Sequence, residues 1–155
     1  MRPLPRLLTA PIRLLPAEVH STALATALNR LLAAQIRAGE LDFLRDRVLA
    51  IRVDDIDVQV SITLCAGRFR GVPDSRAPNL VIAGNVYELM LLASGREDPD
   101  TLFFQRRLRL EGDTEVGLYV KNFLDALELE PERLPLPLRQ LLRHAVPLYE
   151  RLLGG

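Results

Sequence analysis

The sequence predicts an α+β fold, with a largely antiparallel sheet of about five strands covered by helices. The clearest observation is the strict alternation of apolar and polar residues over residues 56–65, which is typical of a strand with one buried face. Stretches with helical spacing of leucines lie on either side of the strand-rich middle. Since few strand–helix–strand units can be placed, most neighbouring strands are expected to run antiparallel.

The first half of the chain begins with a predicted long helix over residues 17–38. Leu24, Leu28 and Ile36 recur there at helical spacing, and Gly39 follows as a typical helix stop. Residues 41–47 are expected to form a helical turn that leads into the sheet.

Four strands are expected next. Residues 48–53 and 56–65 form a predicted hairpin around a turn at Asp54 and Asp55. Residues 68–70 are a third, short strand, and residues 80–83 a fourth.

The second half alternates short helices with one more strand. Asn85 is predicted to cap a helix with Glu88 in the capping-box position, and Gly95 to end it. Asp98 caps the next helix, with Pro99 at its first position.

Residues 107–111 alternate as a fifth strand, and Gly112 turns the chain. Asp113 or Thr114 then caps a helix with an apolar stripe. The members of that stripe are Val116, Tyr119, Val120, Phe123, Leu124 and Leu127.

The two ends of the chain are set apart by composition, which predicts three parts: an arm over residues 1–16, a domain over 17–130 and a tail over 131–155. The arm is basic, rich in leucine and interrupted by proline. It is therefore either an irregular lead-in that packs on the domain or a segment that binds anionic lipid or a partner. The tail is expected to contain a last helix over residues 138–153, which Pro147 kinks or splits.

Little in the sequence suggests catalysis. His20 and His144 have no metal-ligand spacing partner, and Cys65, the only cysteine, has no redox partner in the chain. We therefore expect no enzymatic activity, no metal and no cofactor. Zero net charge gives no reason to expect nucleic-acid binding. No apolar run reaches the roughly 20 residues that span a bilayer, and we expect a soluble protein that is not exported.

The remaining notable residues are apolar and lie close together in sequence. They are candidates for the lining of an apolar ligand site, although for any single one of them an ordinary core is the favoured alternative. Arginines near them and in the arm are candidates for contact with a headgroup or membrane, with solvated surface cations as the alternative. The lining candidates are Phe103, Phe104, Leu108, Leu110, Val116, Tyr119, Val120 and Phe123; the contact candidates are Arg2, Arg6, Arg13, Arg106 and Arg107.

The stretch NLVIAGNVYELMLLASGREDPDTLFFQRRLRLEGDTEVGLYVKNFLDAL resembles the second half of the sterol carrier protein type 2 (SCP2) lipid-binding domain. The Asp98-Pro99 helix start, the Phe103-Phe104-Gln105 triplet and the following arginine-rich strand carry the resemblance, which extends over about residues 41–129. It implies an α+β fold around an apolar tunnel, without catalytic residues.

Within that family, DPDTLFFQRRL, EGDTE and GLYVKN are most similar to a bacterial subgroup that assists ubiquinone biosynthesis. The resemblance implies an accessory role in the oxygen-independent pathway, with polyprenylated quinone precursors or phospholipid as ligands. It also implies two iron–sulfur hydroxylation proteins of the peptidase U32 type as partners, and a cytoplasmic location, peripheral on the inner face of the membrane. The alternative is an adaptor without ligand, which holds the hydroxylation proteins together through its apolar helix.

Overall fold

The computed structural model describes residues 6–73, 75–127, 132 and 136–153, and side chains from residue 10 onward except that of residue 138. The elements in chain order are α1 (Arg6–Leu14), α2 (Ala17–Leu31), α3 (Ala33–Arg37), a 3₁₀ turn (Asp42–Leu44), β1 (Val48–Val53), β2 (Val58–Cys65), β3 (Arg68–Gly71), β4 (Leu80–Gly84), α4 (Val86–Ser94), α5 (Pro99–Phe104), β5 (Arg109–Gly112), α6 (Thr114–Ala126) and α7 (Leu136–Leu153).

The five strands form one sheet in the order β3-β2-β1-β4-β5. Three of the four strand pairs are antiparallel, and β1 with β4 is the parallel pair. Ile51 in the central strand lies opposite Val60 on one side and Ile82 on the other. The predicted α+β class and the mostly antiparallel sheet are confirmed.

The main core lies between one face of the sheet and the helices α2 and α6. Leu49, Ile62 and Ile82 point from the strands into the same cluster as Ala25 of α2 and Val120 of α6. These side chains are all less than a tenth exposed, so both helices bury apolar residues against the sheet.

A second, smaller core joins α7 to α4 and α5. Val146 and Tyr149 of α7 pack with Tyr87, Leu91 and Leu102. The rings of Tyr87 and Tyr149 are stacked at 4.9 Å, and the Tyr87 hydroxyl donates a hydrogen bond of 3.0 Å to Glu150 Oε1. The predicted tail therefore supplies part of a core.

Two helix predictions at the amino-terminal end need correction. An irregular lead-in, one of the two interpretations of the arm, does not describe Arg6–Leu14, which is helical with Pro11 inside it. The helix expected over residues 17–38 is divided at Leu32, whose φ of −106° and ψ of 18° leave the helical region. Gly39 ends the helical stretch at φ 76°, as predicted.

The predicted cap of α4 is wrong. Asn85 makes no side-chain hydrogen bond to the helix; the Val86 N–H donates instead to Asp55 Oδ1 at 3.0 Å. A carboxylate from the β1–β2 turn thus accepts a hydrogen bond from the first backbone N–H of the helix. The predicted caps Asp98 and Asp113 are confirmed, since each accepts backbone N–H groups of its own helix.

The remaining boundaries differ by small amounts. β2 begins at Val58 rather than residue 56 and β5 at Arg109 rather than residue 107. Helix α7 runs through Pro147 without a break, so the prolyl ring does not split it.

Candidate functional site

An apolar cavity of about 300 Å³ lies within the main core. Helix α2, the turn before β1, the strands β1, β3 and β4, and helices α4 and α6 all contribute walls. Every lining residue is apolar: Leu24, Leu28, Leu31, Leu32, Leu41, Phe43, Leu44, Leu49, Ile51, Phe69, Ile82, Leu89, Leu92, Ala93, Val120, Phe123, Leu124 and Leu127.

This cavity has the size and chemistry of a site for an apolar ligand. Its volume is at the lower end of the range of roughly 300–1,000 Å³ seen for small-molecule pockets. Its wall offers no polar side chain that would fix the orientation of a polar ligand. Shape and burial of apolar surface must therefore provide the binding energy.

A polar groove of about 340 Å³ adjoins one end of the cavity. Leu92, Leu124 and Leu127 line both spaces, while Glu97 and Asp125 line the groove alone. Partial burial raises the pKa of Asp125, and the nearby Asp100 carboxylate raises it further. The apolar cavity and a groove with acidic walls therefore border the same three leucines.

Two of the eight predicted lining residues, Val120 and Phe123, line this cavity. The others are placed elsewhere. Phe103 and Leu108 belong to the second core, and Leu110 and Val116 pack in the main core without reaching the cavity. Tyr119 is half-exposed with its ring 5.5 Å from that of Phe43, and Phe104 is 88% exposed.

The leucines of α2 are the part of the wall that sequence reasoning missed. Their spacing predicts a helix, but they were not among the candidates for the lining. The signal that could have found them is the low aromatic content, 5% of the chain. With few large side chains, the space between a leucine-lined helix face and the sheet is easily left partly empty.

The arginines predicted to contact a headgroup or membrane do not form one cluster. Arg13 Nη2 lies 3.2 Å from Asp57 Oδ2, and Arg107 Nη2 lies 2.7 Å from Glu88 Oε2 beside the second core. Arg106 is exposed, at a φ of 58°. Arg6 begins α1, and Arg2 lies outside the described residues.

Charged residues at one end of the sheet form a network of ion pairs. Asp54 accepts hydrogen bonds from Arg109 Nη2 at 2.7 Å and Arg52 Nε at 3.0 Å, and Arg52 also reaches Glu111 at 2.8 Å. Desolvation alone would raise the pKa of Asp54, but the bonds from Arg109 and Arg52 outweigh it and hold the pKa below its ordinary value. These groups are engaged with one another, and their geometry is that of a structural network.

The residues weighed for catalysis remain apart. His20 Nε2 lies 2.9 Å from the Ile12 carbonyl oxygen, Cys65 is a half-buried free thiol in β2, and His144 is exposed on α7. Within the described part of the chain, no three His, Cys, Asp or Glu residues are grouped as metal ligands would be. Across the same residues, no helix has the length and apolarity needed to cross a bilayer.

Residues 27–125, more than half of the chain, match the SCP-2 sterol transfer family, and the chain belongs to this family. The predicted family membership is thus confirmed.

Among its relatives, the chain is 41% identical over 138 residues to the ubiquinone biosynthesis accessory factor UbiT of Escherichia coli strain K12. That match covers 89% of this chain and 78% of the relative.

Two solved structures show the same fold. One is described as a UbiJ-SCP2 ubiquinone synthesis protein, with a TM-score of 0.51 and 19% identity over 79% of this chain and 96% of the other. The second is a crystal structure of sterol carrier protein 2, with a TM-score of 0.50 and 18% identity over 72% of this chain and all of the other.

Proposed function

We propose that this protein is a non-catalytic, lipid-binding accessory factor for oxygen-independent ubiquinone biosynthesis. The observation that carries the proposal is the wholly apolar cavity between α2, the sheet and α6. The 41% identity to a ubiquinone biosynthesis accessory factor supports the pathway. The ligands we propose are polyprenylated quinone precursors or membrane phospholipid.

The size of the cavity implies that only part of such a ligand is buried. Burial of each CH₂ group contributes on the order of 0.8 kcal/mol, so a short stretch of an isoprenoid tail is enough for useful affinity. A polyprenyl chain exceeds a cavity of about 300 Å³, and the rest of it must emerge. The adjoining groove at Leu92, Leu124 and Leu127 is the exit that we propose.

Phe123 offers a sharp test, because it lines the cavity while its neighbour Asn122 is exposed on the same helix. Phe123→Glu places a charge against an apolar wall and should abolish retention of a polyprenylated quinone, measured by native mass spectrometry. Asn122→Glu adds the same charge outside the cavity and should bind like the parent. Equal retention by both variants, with both folded by circular dichroism, would contradict the assignment of Phe123 to the site.

We further propose that the protein acts in the cytoplasm, in peripheral contact with the inner face of the membrane. Ile12, Leu14, Leu15 and Val19 are exposed around the junction of α1 and α2, beside Arg13. Arg13 is paired with Asp57, but the first 17 residues of the sequence contain two further arginines and no acidic residue. An apolar patch in such a basic segment suits an anionic bilayer surface. Removal of residues 1–16 should reduce co-sedimentation with phosphatidylglycerol vesicles at low salt; undiminished co-sedimentation would refute the contact.

A second candidate function, an adaptor that carries no ligand, is favoured by exposed apolar side chains around α6. Phe104 is 88% exposed and Leu118 is 59% exposed, and phenylalanine is among the residues that are enriched at protein interfaces. The partners in this case are the iron–sulfur hydroxylation proteins of the peptidase U32 type. Phe104→Ser should then weaken co-purification with them without changing lipid retention, and unchanged co-purification would argue against this surface.

A further inference from the structure

A basic cleft of about 480 Å³ lies where the end of α4 meets the beginning of α7. Helix α7 contributes two arginines one turn apart, and the residue after Gly95 contributes a third. The side chains around it are Ser94, Arg96, Glu132, Leu136, Arg139, Gln140, Leu142 and Arg143.

The three guanidinium groups of this basic cleft are not used by ion pairs among the residues that the structure describes. Those ion pairs engage five other arginines: Arg13, Arg45, Arg52, Arg107 and Arg109. Glu132 lies in the wall of the cleft, yet no ion pair joins it to Arg96, Arg139 or Arg143. Within the described part of the chain, all three guanidinium groups therefore remain without a carboxylate partner.

Local electrostatics make this arrangement unfavourable without an anion. Arg96 follows the carboxyl end of α4, where a cation is stabilised. Arg139 and Arg143 have no such compensation, since they lie in the first two turns of α7 and, as an i,i+4 pair of like charges, repel each other. Among the described residues of the wall, three arginines and Glu132 sum to a charge of +2. The two helix ends contribute about half a charge each, with opposite signs, and so cancel.

We propose that the basic cleft is a binding site for a phosphate-bearing anion. A phosphate monoester carries a charge of about −1.5 to −2 near neutral pH, which matches this excess. Planar guanidinium groups donate paired hydrogen bonds to phosphate oxygens, and the Gln140 amide is a further donor. Arg139 and Arg143 lie outside residues 27–125, so the shared family domain does not account for the site.

The phosphate can come from a lipid headgroup or from a soluble phosphate monoester. The end of α4 borders both spaces: Leu92 and Ala93 line the apolar cavity, and Ser94 and Arg96 line the basic cleft. A headgroup in the cleft and an acyl chain in the cavity would thus contact neighbouring residues of the same helix end. The cleft itself stands independently of the proposed function, because soluble phosphate needs no apolar cavity.

The test is calorimetric titration of the full chain at low salt with three probes: inorganic phosphate, glycerol 3-phosphate and dihexanoyl phosphatidic acid. Arg139→Gln/Arg143→Gln should weaken binding about tenfold or more, because two charge-assisted contacts are lost. The matched control is Arg30→Gln/Arg37→Gln, which removes two arginines from α2 and α3 and should bind like the parent. Circular dichroism confirms that α7 persists in the first variant.

Equal affinity for glycerol 3-phosphate and the short lipid identifies a soluble monoester as the ligand, and much tighter binding of the lipid identifies a headgroup. Absence of saturable binding by all three probes, or equal loss in both double variants, would overturn the proposal. Retention of quinone by native mass spectrometry is measured on the same samples. If no phosphate probe binds at the cleft while quinone is still retained, the phosphate site is refuted and the proposed function stands.

Discussion

Val120 and Val116 provide a direct test of the cavity, because they lie one turn apart on the same face of α6. Both are buried, at 4% and 1% exposed, but only Val120 lines the cavity. Val120→Phe places a ring in available space. Val116→Phe forces the same ring into packed core, a change that typically costs about 1–3 kcal/mol.

For a chain of 155 residues, 1 kcal/mol corresponds to roughly 2–4 °C in Tm. Val116→Phe should therefore lower the Tm by roughly 2–12 °C. Val120→Phe should leave it within about 4 °C of the parent, since new apolar contacts offset local adjustment. The same variant should retain less quinone, because the ring occupies the space that the ligand needs.

The assay combines thermal unfolding by calorimetry with quinone retention by native mass spectrometry on both variants. Equal destabilisation by the two substitutions would show that there is no usable space at Val120. Unchanged quinone retention in a stable Val120→Phe protein would place the ligand elsewhere.

Three further predictions concern stability. The pKa of Asp54 is lowered in the folded state, so its stabilising contribution is present above its ordinary value of 3.8 and is lost as pH falls through the folded pKa; Asp54→Asn should cost about 0.5–1 kcal/mol at pH 7 and nothing in strong acid, as Tm measured against pH would show. Gly112→Ala should cost more than Gly95→Ala in urea unfolding, because a Cβ at Gly112 would lie 2.5 Å from the Asn79 carbonyl oxygen while one at Gly95 meets nothing within 4 Å. Arg107→Gln leaves Glu88 buried without its cation and should cost about 3 kcal/mol in chemical unfolding, a loss that the added change Glu88→Gln should largely restore.

Local signals in the sequence were enough to place most of the elements. The bounds of β1 follow from its apolar run. The first residues of α5 and α6 follow from Asp98 and Asp113, whose side chains accept hydrogen bonds from the first turn of each helix. For the two caps, the N–H groups that donate to the aspartates lie two or three residues further along the chain. Prediction succeeded where the deciding contact is local.

Predictions failed where the deciding contact is distant in sequence. Asn85 has the residue type of a cap, but Asp55, 30 positions earlier, reaches the helix start in the folded chain. Pro147 costs α7 one backbone hydrogen bond, and packing of Val146 and Tyr149 on α4 holds the helix together across it.

The candidate site shows the same limit. The predicted lining was concentrated between residues 103 and 123, because local patterning groups residues that are near in sequence. The cavity instead draws most of its wall from α2, the sheet and α4, and periodicity reveals which face of a helix is apolar but not whether the opposite surface fills the space.

The central claim, that the cavity holds an isoprenoid or acyl chain, is tested most directly by native mass spectrometry of the purified protein, with organic extraction of whatever it carries. We expect a stoichiometric lipid that co-purifies, or one that is taken up on incubation with a polyprenylated quinone, and that is lost in Phe123→Glu. A mass that corresponds to the protein alone, both before and after incubation, would contradict lipid binding and leave the adaptor as the function of this fold.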